Sequence, residues 1–239
     1  MRMRLRRGIC AVLPLLALVA GGQRAEAALV LPGDAGIVVT ATAATGFEDI
    51  LATTTQAYVS SLGAGDISGL VYAAVFQESL AANPLGGLTF AYQITNNASS
   101  SEGVEFSTET DFAGFTTDVY YATNGSLFGL FDVVAPTGPF FPTNGTEPPL
   151  TANRSFSGTV VTFDWTSGSQ ATLIGPGETS FVFLIRTDAP DWVPGTTSLQ
   201  NGGVDTVPTF APAAAPEPAT MLLFATALLG LGARLRRRP

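Results

Sequence analysis

Histidine and lysine are absent from this chain of 239 residues, and cysteine occurs once. Without imidazole there is no Ser-His-Asp or Cys-His relay, no histidine metal ligand and no side chain that ordinarily titrates near neutrality. Without lysine there is no Schiff-base amine and no Walker lysine for a phosphate. Charge is scarce too, at 13% of the residues. Yet 46% of the residues are hydrophobic, which excludes an ordinary disordered chain. With 26 Gly and 16 Pro, many turns are favoured over long helices. The length suits one main domain.

The charges that exist are segregated. Arg2, Arg4, Arg6, Arg7 and Arg24 lie near the start, and Arg234, Arg236, Arg237 and Arg238 crowd the end. From Ala28 to Ala215 only Arg154 and Arg186 oppose seventeen Asp and Glu, a balance of minus fifteen. A domain this acidic repels phosphate backbones, so nucleic acid is excluded as a partner. The two basic clusters border apolar runs instead, which is the pattern of targeting segments.

The first 27 residues read as a signal peptide. Four Arg precede the apolar run Ile9–Ala20, which is too short for an ordinary membrane span. Ala25 and Ala27 then supply the small residues a signal peptidase pocket admits, placing cleavage before Ala28. A retained membrane anchor is the alternative. Cys10 is the second residue of the apolar run and departs with the signal, so the mature chain has no cysteine and depends on its core for stability.

The other end carries Pro216-Glu217-Pro218, an uncharged apolar run Ala219–Ala233, and then Arg234, Arg236, Arg237 and Arg238. As a helix the run spans about 22 Å, short of the roughly 30 Å hydrocarbon core, a gap that arginine snorkelling and local thinning partly close. The arginines act as a membrane stop and hold the tail in the cytoplasm, leaving Ala28–Pro218 outside. A transmembrane helix over residues 219–234 is expected.

This three-part tail resembles the PEP-CTERM protein-sorting signal of Gram-negative bacteria, also named the ice-binding protein C-terminal domain, a name that says nothing of ice binding here. The resemblance implies recognition of Pro216, Glu217 and Pro218 by an exosortase, a membrane-embedded cysteine transpeptidase. It also implies a route from the inner membrane to the cell envelope or the outside, in the company of exopolysaccharide systems. Physically, Pro-x-Pro keeps the chain extended and out of the helix, so that a protease can bind it as a strand. A plain single-span anchor behind a Pro-rich spacer is the competing explanation. The chain thus divides into a signal peptide (1–27), an exported domain (28–212) and a sorting signal (213–239).

Within the exported domain the residues alternate as strands do. Leu88, Phe90, Tyr92 and Ile94 are spaced by two, as are Val161, Phe163 and Trp165. Phe181–Ile185 is apolar on both faces, as a central strand is. Asn124-Gly125 between two apolar stretches signals a type I′ hairpin. Ile67–Leu80 reads as one long strand or two, Phe47–Ser61 as a helix, residues 135–153 as a long loop, and residues 204–215 as a last strand and linker. The fold expected is mainly β, an antiparallel β-sandwich flanked by the two sorting segments.

Chemistry is hard to find. Glu102, Glu105, Glu109, Asp111 and Asp118 are the candidate acid/base groups for a glycan hydrolase, but no spacing selects a pair. Acidic and Asn-rich loops supply the oxygen ligands calcium takes, which leaves it as an alternative, but no segment matches an EF-hand or RTX calcium loop, and neither a metal nor another cofactor is expected. Trp165, Trp192 and the five Tyr suit either a sugar-stacking platform or, more simply, a core. The Asn-x-Ser/Thr triplets at Asn97, Asn124, Asn144 and Asn153 would accept glycans in a eukaryotic secreted protein, but the resemblance of the tail implies a bacterial one, and a chain this rich in Ser, Thr and Asn produces such triplets by chance. The expectation is therefore a non-catalytic envelope or matrix protein. Its partners are signal peptidase, an exosortase, the membrane before processing, and extracellular polysaccharide as a candidate ligand.

Overall fold

The computed structural model describes residues 27–42, 47–61, 66–123, 141, 145–166 and 173–213. These residues form thirteen strands, and no helix occurs among them. In chain order they are β1 (Ala28–Leu29), β2 (Ile37–Val38), β3 (Thr40–Thr42), β4 (Phe47–Ser60), β5 (Ile67–Glu78), β6 (Leu88–Asn96), β7 (Phe106–Glu109), β8 (Thr117–Ala122), β9 (Thr151–Arg154), β10 (Val161–Asp164), β11 (Phe183–Thr187), β12 (Asp191–Asn201) and β13 (Gly203–Ala213).

Two sheets result. The first runs β1-β8-β11-β6-β5-β4, with β3 pairing parallel to β8 beyond the end of β1. The second runs β13-β12-β7-β10-β9-β2 and is antiparallel throughout. Their facing sides share one core. Leu88, Phe90, Tyr92 and Ile94 of β6 and Phe183 and Ile185 of β11 meet Val161 and Phe163 of β10 and Leu199 of β12. Phe183 is the hub, with ring centroids 4.6 Å from Phe163, 5.5 Å from Trp165 and 5.6 Å from Tyr92. This face-to-face arrangement supports the sandwich reading. It also makes Trp165 and Tyr92 core residues rather than a sugar platform. Phe181 sits just before β11 and is only half-buried, against Tyr121.

Two local readings change and one alternative is settled. Residues 47–60 form a strand instead of a helix: Thr53-Thr54-Thr55 and Tyr58-Val59 favour extended backbone, and β4 pairs with β5 along its whole length through two register shifts. Ile67–Glu78 is one continuous strand. The stretch expected as a loop ends in β9, whose register with β10 runs from Thr151↔Asp164 to Arg154↔Val161. The signal peptide, the return strand after Asn124-Gly125 and the 219–234 helix lie outside the described residues.

Glycine has one clear structural use in β5. Gly69 lies in register with Tyr58 on β4, whose ring crosses it while the Tyr58 hydroxyl donates to the Thr95 carbonyl at 3.3 Å. A Cβ at Gly69 would fall 2.8 Å from the Tyr58 hydroxyl and closer still to the Thr95 carbonyl.

Candidate functional site

Strand directions bring a defined set of loops to one end of the molecule. Ala213, the end of β13, pairs with Asp191 at the start of β12. Only Asp188–Pro190 separate β11 from β12, and residues 110–116 join β7 to β8. The 79–87 and 155–160 turns, and the 30–36 segment packed on the latter, close the same end. The expected sorting residue Pro216 follows Ala213 by three positions, so these loops lie at the same end of the fold as Ala213, which ends the edge strand β13.

A buried arginine ties the loops together. Arg154 at the end of β9 donates from Nε to Gly158 O at 3.1 Å and from Nη1 to Val30 O and Thr117 Oγ1, both at 3.0 Å. Its Nη2 donates to Phe112 O and Phe115 O, both at 2.8 Å. Five acceptors use the whole donor fork without a carboxylate, and burial pushes the guanidinium below its ordinary pKa. The turns supply those carbonyls through left-handed residues: Gly158 at φ 73°, Gly114 at φ 85° and Asp111 at φ 70°.

The second arginine anchors a polar cluster on the outer side of the first sheet. Arg186 Nε meets Glu78 Oε2 at 3.0 Å, and its guanidinium carbon lies 4.2 Å from the Tyr120 ring centroid. Glu78 also accepts from the hydroxyls of Thr89 and Tyr120. Asp118 lies directly across from Arg186 in the β8–β11 register, buried, with no hydrogen-bond partner on Oδ1 among the described residues. Burial pushes its carboxyl up to about 6; the nearby Arg186 works against the shift and Glu78 adds to it.

The other candidate carboxylates are scattered. Glu109 faces the interior between the sheets, accepting from Ser107 Oγ at 2.6 Å and from Thr197 Oγ1, which contacts Thr209 Oγ1 at 3.0 Å. Burial pushes Glu109 up to about 7 despite both hydroxyls, which favour its ionised form. The first sheet separates this inward carboxyl from the outward Asp118. Glu102 and Glu105 lie toward the opposite end, and Asp111 is exposed in the 110–116 turn. Among the described residues, no three His, Cys, Asp or Glu gather as metal ligands. Asn97 is exposed, and Asn153 Oδ1 accepts from the Gly36 amide at 2.6 Å. Asn124 and Asn144 lie outside the described residues.

Sequence reasoning did not find Glu78. Its partner Arg186 lies 108 positions away, and the available signal was an arginine inside the apolar run Phe183-Leu-Ile-Arg-Thr187. The positions expected at the signal-peptidase site fall on Ala25, outside the described residues, and on Ala27 and Ala28, where β1 begins. Pro216, Glu217, Pro218 and the terminal arginines also lie outside them.

Residues 214–238 match the PEP-CTERM protein-sorting motif. No curated protein and no solved structure matches the chain.

Proposed function

We propose that the chain, which carries a PEP-CTERM sorting motif at residues 214–238, is an exported, non-catalytic component of the cell envelope or extracellular matrix. The motif implies exosortase processing and export. In the finer reading, signal peptidase cuts before Ala28 and the apolar tail holds the chain in the inner membrane. Exosortase then recognises Pro216-Glu217-Pro218 and releases the folded domain, whose outward ligand is a polysaccharide.

The observation that carries this reading is the fit of the fold to the interval between the signals. The first strand begins at Ala28, the expected new N-terminus, and the last ends at Ala213, one residue before the motif. These bounds support reading the sandwich as a cargo between its sorting segments. A hydrolase reading is less well supported, because Glu109 and Asp118 face different sides of the first sheet, and Glu78 is committed to Arg186, Thr89 and Tyr120. The experiment is expression of the full chain in a host with its exosortase and in the same host lacking it. Loss of the tail only in the first supports the proposal, whereas equal processing in both contradicts it.

A further inference from the structure

We infer that, while the tail is still in the membrane, the tail end of the domain rests on the lipid surface through its apolar turn tips. The inference rests on the membrane-tethered intermediate proposed above and goes beyond it. Six peptide steps separate Ala213 from Ala219, where the apolar run begins, so even a fully extended connection spans no more than about 20 Å. Headgroups occupy roughly 5–7 Å of that distance on each side of the hydrocarbon. The end of the fold that carries Ala213 is therefore held at the bilayer surface.

That same end displays apolar side chains at its turn tips. Phe156 is 94% exposed in the 155–158 turn, Leu80 is 73% exposed in the turn after β5, and Leu31 is 50% exposed before Gly33. Val193, in register with Ala211 near the end of β13, is also exposed. The Leu31–Gly33 turn backs Phe156: the Gly33 amide bonds the carbonyls of Arg154 and Ser155 at 3.2 and 3.1 Å. Arg154 fixes the segments around Val30, Phe112–Thr117 and Gly158 from beneath, so the Leu31 and Phe156 tips are held on a braced platform.

Electrostatics selects the kind of lipid. The only cations among the described residues, Arg154 and Arg186, are buried, whereas Asp111, Asp188 and Asp191 are exposed at this end. Anionic headgroups repel such a face. Contact is made by apolar insertion at a zwitterionic surface, and the tether supplies the local concentration that three or four tips alone would not.

The test uses the full chain in phosphatidylcholine vesicles containing bromine-labelled lipid, with Phe156→Trp or Val204→Trp and the parent emission subtracted. Val204 is exposed at the opposite end, beside the β12–β13 turn. The expected result is emission at 156 quenched about twofold and emission at 204 nearly unchanged, with weaker quenching at 156 when anionic lipid is added. Failure of the chain to float with vesicles overturns the tethered intermediate, and this inference with it. Flotation without quenching at 156 overturns the docking alone. Quenching at 156 only when exosortase is co-reconstituted makes the enzyme the partner and overturns the lipid assignment.

Discussion

Ala213 pairs in register with Asp191, closing the β12–β13 ladder three residues before Pro216. Among the described residues the strand pair therefore runs to Ala213, and part of the expected linker over residues 204–215 is strand. Any enzyme that grips Pro216-Glu217-Pro218 works within about 10 Å of folded structure. Extending that gap by eight Gly-Ser residues after Ala213 should speed processing in cells, as judged by pulse-chase. A slower reaction would contradict the crowding.

Glu109 gives the domain a pH dependence of unusual sign. Its folded pKa, about 7, lies above the ordinary carboxyl value of 4.5, so the folded state holds a proton that the unfolded state releases. The associated stability is fully present below about pH 4.5 and is lost as pH rises through 7. The loss amounts to about 3 kcal/mol at most. Glu109→Gln keeps the neutral form at every pH, so urea midpoints at pH 8 should rise relative to wild type while those near pH 5 change little. Parallel profiles for the two proteins would refute this.

Arg154→Met should remove the brace, taking the guanidinium donor from the carbonyls of Phe115 and Gly158 and leaving those of Val30 and Phe112 with only the Thr117 hydroxyl and the Phe115 amide. The cost is expected to be about 3 kcal/mol or more in denaturant unfolding. Arg154→Lys should recover only part of it, since one ammonium cannot span five acceptors. A loss under 1 kcal/mol for Met would show that the loops hold without the fork.

Gly69→Ala drives a methyl into the Thr95 carbonyl and the Tyr58 ring. A destabilisation of about 2 kcal/mol is expected. Truncating the ring in a Tyr58→Ala, Gly69→Ala double variant leaves the carbonyl clash in place. The pair should therefore couple while the double variant stays well below wild type in melting temperature. Full recovery would place the clash on Tyr58 alone.

The sequence made the inner strands legible because their burial repeats every second residue. Leu88-Phe90-Tyr92-Ile94 and Val161-Phe163-Trp165 needed only that pattern, and the apolar run around Phe183 marked a strand with neighbours on both sides. The helix expected over Phe47–Ser61 gives way to strand β4 because its partner β5, not any local pattern, supplies the pairing that decides. The short strands β1, β2 and β3 exist only through β8 and β9, so no local pattern announces them. The Glu78–Arg186 pair and the Arg154 clamp join residues far apart in the chain. What hinted at both was scarcity, two arginines within an otherwise acidic domain. The sorting motif at residues 214–238 was legible because such a signal is read as a linear string and not as a fold.

The central claim is that the folded domain is cargo for the motif that follows it. Its most direct test is the intact mass and location of the chain from cells producing wild type or the combined Pro216→Ala, Glu217→Ala, Pro218→Ala variant. Wild type should appear at the surface or in the medium without its apolar tail, and the variant should stay at full mature length in the inner membrane. Surface delivery of a variant lacking its tail would contradict the account.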